Sequence, residues 1–209
     1  MSLNEIQAAL EHGVQALGLR LDDQQISHLL SYTHLVQKWN AKFNLVGTSN
    51  SQELLYKHIL DSLAIAKYVS HSPVLDVGSG AGLPGIPLAI TLPELSFTLI
   101  DSNGKKARFM RQAVIELKLS NVQVIHGSVV DFEPVTAPST VIARAFRQIE
   151  DVLEVLLKAC GNGGQMMVML GKRPQEIPFV SGIRRCVTQD IKVPGLENTE
   201  RHLLIATKA

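Results

Sequence analysis

Pro73-Val74-Leu75-Asp76-Val77-Gly78-Ser79-Gly80-Ala81-Gly82-Leu83-Pro84-Gly85 is the stretch that decides how this chain folds. Val74, Leu75 and Val77 form a short apolar run, as a central parallel strand requires. Four glycines then fall within the eight residues Gly78 to Gly85. Glycine lets the backbone turn through positive φ and approach a ligand closely. A helix is expected next, over 83–92. Its free N–H groups and positive dipole end would face the same turn and suit a polar or anionic ligand group. Strand, glycine turn and helix together make a nucleotide-type cofactor site.

Two cofactors fit the pattern to different degrees. Gly80-Ala81-Gly82-Leu83-Pro84-Gly85 satisfies G-x-G-x-x-G, the dinucleotide spacing. Asp76, two residues before Gly78, instead gives D-x-G-x-G. A carboxylate there would repel a pyrophosphate and suit the ammonium of S-adenosylmethionine. The reading is therefore S-adenosylmethionine rather than NAD. Phe97-Thr98-Leu99-Ile100-Asp101 is the next apolar strand, and its acid lies about 20 residues past the glycine turn, where doubly wound sheets bind a ribose hydroxyl. Asp101 is read as that acid, with a helix N-cap ahead of Gly104 as the alternative. It suits both cofactors.

From Pro73 onward strands and helices alternate. Strands are expected over 74–77, 97–101, 122–126, 140–143 and 165–170, with helices over 83–92, 105–117 and 150–160 between them. That order implies a parallel sheet with right-handed crossovers. The last two strands, 185–193 and 201–207, are separated by Pro194-Gly195 and leave no room for a helix, so they should pair antiparallel at the sheet edge. The expected fold is α/β, a Rossmann-like doubly wound sheet that is mostly parallel with an antiparallel C-terminal edge pair. It resembles the class I methyltransferase architecture, over 71–209.

Residues 1–70 read as a helical extension. Ile6, Leu10, Val14 and Leu17 repeat at helical spacing, Gly18 ends that helix, and Asp22 can cap the next. Ile26, Leu29, Leu30, Val36 and Trp39 form its apolar face, with a break expected from Asn40 to Gly47. Asn50 and Glu53 resemble a capping pair ahead of a third stripe, Leu54, Leu55, Ile59, Leu63 and Ala66. Such faces cannot bury themselves alone, so the segment should pack on the sheet or cover its cleft.

The 209 residues, 45% hydrophobic and 19% charged, suffice for one α/β domain with an appendage. No signal-peptide pattern and no membrane-length apolar run is visible, so a cytoplasmic protein with no membrane partner is expected. Cys160 and Cys186 are too few and too far apart for a metal or redox motif, and the seven histidines are scattered. A net charge of +1 places any nucleic-acid contact in local clusters.

Leu75-Asp76-Val77-Gly78-Ser79-Gly80-Ala81-Gly82-Leu83-Pro84-Gly85-Ile86-Pro87, with its double proline, resembles the glucose-inhibited division protein B family. Further matches run in order along the chain: Lys38-Trp39-Asn40, Phe43-Asn44-Leu45, His58-Ile59-Leu60-Asp61-Ser62, Asp101-Ser102, Gly104-Lys105-Lys106, Arg108-Phe109, Arg144-Ala145-Phe146 and Arg201-His202-Leu203. The resemblance implies an S-adenosylmethionine-dependent transfer of a methyl group to the N7 of a guanine in 16S ribosomal RNA, with the small ribosomal subunit as partner. It implies that Gly78 and Leu83 line the cofactor, that Val129 and Val130 hold its adenine, and that Arg144 serves the site at the end of the fourth strand. The family often has an acid where Val130 stands. It more often has a lysine directly after the fifth strand's leucine, where this chain has Gly171-Lys172, so Lys172 receives no role.

Guanine N7 carries no proton, so its methylation needs orientation rather than a general base. The lack of a Ser-His-Asp set or paired-carboxylate site is consistent with that chemistry. Arg144 and Arg147, Lys172 and Arg173, and Arg201 with His202 are candidate RNA contacts, Arg144 serving cofactor and RNA together and Arg201 RNA alone. Lys105, Lys106, Arg108 and Arg111 read as a solvated helix face, with RNA contact as the alternative. His58 and Asp61 read as a helical interaction or core packing rather than a lid over the cofactor. The competing functions are a small-molecule methyltransferase on the same fold, a catalytically idle binding module and an NAD oxidoreductase.

Overall fold

A computed structural model describes residues 2–144 and 148–209. Its seven strands are β1 Val74–Val77, β2 Phe97–Asp101, β3 Val122–His126, β4 Thr140–Arg144, β5 Gln165–Leu170, β6 Ile183–Asp190 and β7 His202–Lys208. They form one sheet in the order β3-β2-β1-β4-β5-β7-β6. The first five are parallel, and β7 lies antiparallel to both β5 and β6. The strand order reverses at β1, so the topological switch point lies between β1 and β4, where doubly wound sheets bind ligands. The last two strands lie one to three residues away from their expected bounds. β6 begins at Ile183 because a register shift between Ile183 and Arg185 prolongs its pairing with β7, and it ends before Pro194-Gly195.

Period-two alternation assigns the strand side chains to two cores. Leu75, Val77, Ile100, Val141, Ala143, Met166 and Val168 face one side, where helix α7, Ile149–Ala159, buries Val152, Leu153 and Leu156. Val74, Phe97, Leu99, Ile142 and Met167 face the other. There α5, Gly85–Thr91, and α6, Gly104–Glu116, pack on the sheet, helix α2, Asp23–Phe43, lies over them, and α1, Leu3–Ala16, packs against α2. Residues of all these elements share one continuous core. Every residue of α5 is buried because it is enclosed between sheet and outer helices, which explains its apolar sequence on all sides.

The helical segment packs on the sheet. Asp22 and Gln25 form a reciprocal capping box at the start of α2. Gln25 also donates its side-chain amide to the Ile90 and Thr91 carbonyls at 2.9 and 3.3 Å, closing the open end of α5. The expected break begins four residues late, at Asn44 rather than Asn40. α2 continues to Phe43, and Asn40 instead ties down the following turn through Thr48 and Val46. Asn44 ends the helix in the left-handed region at φ 51°. The third stripe is not one regular helix. It runs through α3, Ser51–Leu54, a π-helical segment, Leu55–Leu60, and α4, Asp61–Leu63. No helix among the described residues is long and apolar enough to cross a membrane.

Candidate active site

The loop after β1 is built around three glycines in the left-handed region: Gly78 at φ 67°, Gly80 at 61° and Gly82 at 86°. Backbone and buried side chains hold it from three directions. The Gly78 N–H donates to the Ile100 carbonyl at 2.9 Å. The Gly80 N–H donates to Asp101 Oδ2 at 2.8 Å. From beneath, the Gly85 N–H donates to Asp76 Oδ2 at 2.9 Å, and the buried Tyr32 hydroxyl of α2 donates to the Ala81 carbonyl at 2.6 Å.

Above this loop lies a cleft of about 430 Å³, lined by Val77, Gly78, Ile100, Asp101, Ser102, Lys106, Gly127, Ser128, Val129 and Arg144. A Cβ on Gly80 would meet nothing closer than 3.9 Å, so the backbone there borders open space. Asp101 accepts the Gly80 and Asn103 N–H groups, one on each oxygen, at 2.8 Å each. A carboxylate has about four acceptor positions, so two remain for hydroxyl groups of a ligand. The cleft volume, the exposed loop backbone, this acid and the apolar Val129 suit an adenosine-bearing cofactor.

A second cavity of about 300 Å³ adjoins the first, and its walls include Lys57, His58, Asp61, Met169, Leu170, Arg201 and His202. Arg144 lines both cavities. Asp61, only 7% exposed, is the hub: Arg201 Nε donates to its Oδ1 at 3.0 Å, and Arg144 Nη1 stands 3.7 Å from its Oδ2. Burial raises the Asp61 carboxyl above its usual range, against the pull of the two guanidinium groups. Arg144 Nη1 also lies 3.4 Å from His58 Nδ1. Burial first, and Arg144 second, press His58 down to about 4, so at neutral pH its ring is uncharged and its Nδ1 accepts from the guanidinium.

The expected site residues divide in space. Gly78, Asp101, Val129 and Arg144 line the cleft, and Gly80 borders it. Asp101 is not the helix cap, because Asn103 accepts the first free N–H groups of α6. Three placements are corrected. Asp76 shares the sheet face of Val74, is completely buried and does not line the cleft, so its carboxylate braces the loop. Leu83 is 3% exposed and belongs to the core beneath the loop. Val130 is 75% exposed and points away, since the short helical turn at Val129–Asp131 directs only Val129 inward. Arg201 is a partner of Asp61 rather than a free cation. Arg147 lies outside the described residues, Lys172 is exposed, and Arg173 pairs with Asp190 at 3.4 Å.

Three contributors are not evident from sequence. Lys106 reads as part of the solvated face of α6, yet it lines the cleft, because the first turn of that helix starts at the carboxyl end of β2. Its signal is its place, three residues after the Asn103 cap. Asp61 and His58, expected to serve packing or helix contacts, join the cavity, and only long-range contacts across 86 and 140 residues reveal this.

Comparison with known proteins decides the family. A model of the GidB family, rRNA small subunit methyltransferase G, matches residues 25–204. The chain belongs to the GidB family. A ribosomal RNA small subunit methyltransferase G of Alkalilimnicola ehrlichii is 41% identical over 201 residues, covering 95% of this chain and 91% of that protein. Its counterpart in Marinobacter nauticus is 39% identical over 211 residues, covering 100% and 98%. Among solved structures, the magnesium protoporphyrin IX methyltransferase of Synechocystis, with S-adenosylmethionine bound, superposes with a TM-score of 0.59 at 12% identity, over 85% of this chain and 97% of that one. The GidB membership and this shared class I methyltransferase fold bear out the expected family, architecture and enzyme class: the protein is a methyltransferase.

Proposed function

We propose that the protein transfers the methyl group of S-adenosylmethionine to the N7 of a guanine in 16S ribosomal RNA. The observation that carries this reading is Arg144, a cation standing in the common wall of two cavities. One cavity has the loop backbone and acid that suit a nucleoside cofactor, and the other is large enough for a single base. The relatives named for small-subunit ribosomal RNA methylation support the acceptor. The small ribosomal subunit in the cytoplasm is the setting that this acceptor implies.

When bound, the cofactor supplies an electrophilic methyl group on a sulfonium. The chain's own residues then have four tasks. Gly78, Gly80 and Val129 shape the cleft floor and its apolar wall, and Asp101 accepts from ribose hydroxyls. Lys106 and Arg144 bring positive charge to the cleft rim. Arg144 fixes the position of the acceptor base relative to the cleft. No residue need remove a proton, because N7 carries none. His58 is neutral and already hydrogen-bonded, and Asp61 is ion-paired, in keeping with a site that works by orientation. Holding two reactants in line can lower a barrier by up to roughly 7–11 kcal/mol.

The test is methyl transfer from labelled S-adenosylmethionine to small subunits purified from cells lacking the protein, followed by mass mapping of the modified nucleotide. The expected product is one N7-methylguanosine in 16S RNA. Label that appears only in a metabolite fraction, or on another atom of the RNA, overturns the reading.

A further inference from the structure

Three groups stand in sequence from the cleft into the second cavity. Arg144 is in the cleft wall, Asp61 follows with Oδ2 3.7 Å from Arg144 Nη1, and Arg201 closes the row on Asp61 Oδ1 at 3.0 Å. The two carboxylate oxygens are therefore not equivalent. Oδ1 is taken by a hydrogen bond, whereas Oδ2 meets Arg144 beyond hydrogen-bonding distance. Asp61 is buried, yet it lines a cavity of about 300 Å³. A carboxylate oxygen that a bound ligand cuts off from water is costly unless its set of donors is completed. A ligand N–H at Oδ2 would complete it.

The order donor then acceptor, counted from the cleft, has a chemical complement. Around a guanine ring the edge atoms run N7, O6, N1–H. With N7 toward the cleft, O6 is an acceptor beside Arg144 and N1–H is a donor beside Asp61. Adenine reverses both: its N6 amine would meet the guanidinium, and its N1 lone pair would meet the carboxylate. We infer that Asp61 selects guanine, its Oδ2 accepting from N1–H while Arg144 donates to O6 and N7 is left facing the cleft. This rests on the methyl-transfer reading above and adds to it the group that distinguishes the purines. Arg201 holds the carboxylate from the far side, and His58 holds the guanidinium. The exocyclic N2 amine has no assigned partner.

The experiment uses the wild-type enzyme and altered substrates, so it does not depend on the folding of a variant. Small subunits are reconstituted with guanine, inosine or O6-methylguanine at the mapped position, and transfer from labelled S-adenosylmethionine is timed. Inosine keeps O6 and N1–H, and its kcat/KM should stay within about threefold of guanine. O6-methylguanine keeps N7 but has no N1–H, and its kcat/KM should fall roughly 10- to 100-fold, the range for leaving a buried charged acceptor unpaired. A second arm measures Asp61→Asn on unaltered subunits, where kcat/KM should fall by a similar factor while the dissociation constant for S-adenosylmethionine is unchanged. Equal rates on guanine and O6-methylguanine, or inosine as poor as O6-methylguanine, overturn the assignment of Asp61 and leave the methyl-transfer reading standing. Absence of N7 methylation on every substrate instead overturns that reading and this inference with it.

Discussion

The hydroxyl of Tyr32 in α2 donates to the carbonyl of Ala81 in the glycine loop at 2.6 Å, across 49 residues of sequence, with both residues buried. The outer helices are thus tied directly to the loop that floors the cleft. Burial holds the Tyr32 hydroxyl protonated well above its ordinary range, so it remains a donor at every working pH. Tyr32→Phe leaves the Ala81 carbonyl without this partner. Stability should fall by about 1–2 kcal/mol, and S-adenosylmethionine affinity should fall with it because the loop loses a brace. Urea unfolding and calorimetric titration measure the two effects. Unchanged affinity would separate the outer helices from the site.

Gly80 and Gly82 predict opposite outcomes for the same kind of substitution. A Cβ at Gly82 would lie 2.5 Å from Ile86 Cδ1 at a positive φ, whereas one at Gly80 would have 3.9 Å of clearance. Gly82→Ala should therefore be mainly destabilising, by more than the roughly 1–2 kcal/mol of left-handed strain alone. Gly80→Val should fold with a cost near that strain and lose cofactor binding, because the side chain fills the space above the loop. Thermal melts beside calorimetry distinguish them. Near-normal affinity in Gly80→Val would put the cofactor elsewhere.

Asp76 and His58 oppose each other in their pH dependence. Asp76 titrates at 3.8 when unfolded, and burial lifts it to about 6 in the folded protein. Between those values the folded state holds a proton that the unfolded chain has released, so stability falls as pH rises through this window. His58 goes from 6.5 down to about 4 on folding, so it adds stability as pH rises from 4 to 6.5. Asp76→Asn should therefore gain on the wild type as pH rises from 4 to 6, and His58→Gln should lose on it. Denaturant unfolding at a series of closely spaced pH values checks both. Parallel profiles for all three proteins would contradict the burial argument.

Arg201 is one of two cations on a buried carboxylate. Arg201→Ala should cost about 1–3 kcal/mol, less than the loss of a sole partner because Arg144 remains. Asp61 would rise further above its usual range, so part of the loss should be recovered as pH falls and the carboxyl takes a proton. Comparison of unfolding at about pH 5 and about pH 8 tests this. A variant as stable as wild type under the more alkaline condition would mean that the pair contributes nothing.

With Arg201 engaged, α6 is the better candidate for sequence-independent contact with RNA. Lys105, Arg108 and Arg111 border a groove of about 820 Å³ with His126, and among the described residues none of these three cations is in a salt bridge. Lys105, in the first turn of α6, also opposes the helix dipole, which a phosphate would relieve. Replacing all three by Ala should weaken small-subunit binding and reduce its salt slope by roughly 0.7–0.9 for each phosphate no longer neutralised, with cofactor affinity unchanged. An unchanged salt slope would return this face to plain solvation.

The strand–glycine–helix corner, the alternation that makes a parallel sheet, and the antiparallel end are all legible in the chain. Each is a local property: Val74 to Gly85 states its own backbone requirements, and apolar period and turn residues need no distant partner. Asp101 was legible for the same reason, since its distance from the turn is set by one strand–helix–strand unit. What lies between elements was not legible. Asp76 and Asp101 share one sheet face and differ only in depth along their strands, yet one braces the loop from within the core and the other lines the cleft. Asp61 looks like a helix residue beside His58, and its partners Arg144 and Arg201 stand 83 and 140 residues away. Lys106 looks solvated until the start of α6 is set against β2. Tertiary packing alone decided these roles, because burial and the approach of distant charges determine what a carboxylate or guanidinium does, and neither is written in local spacing.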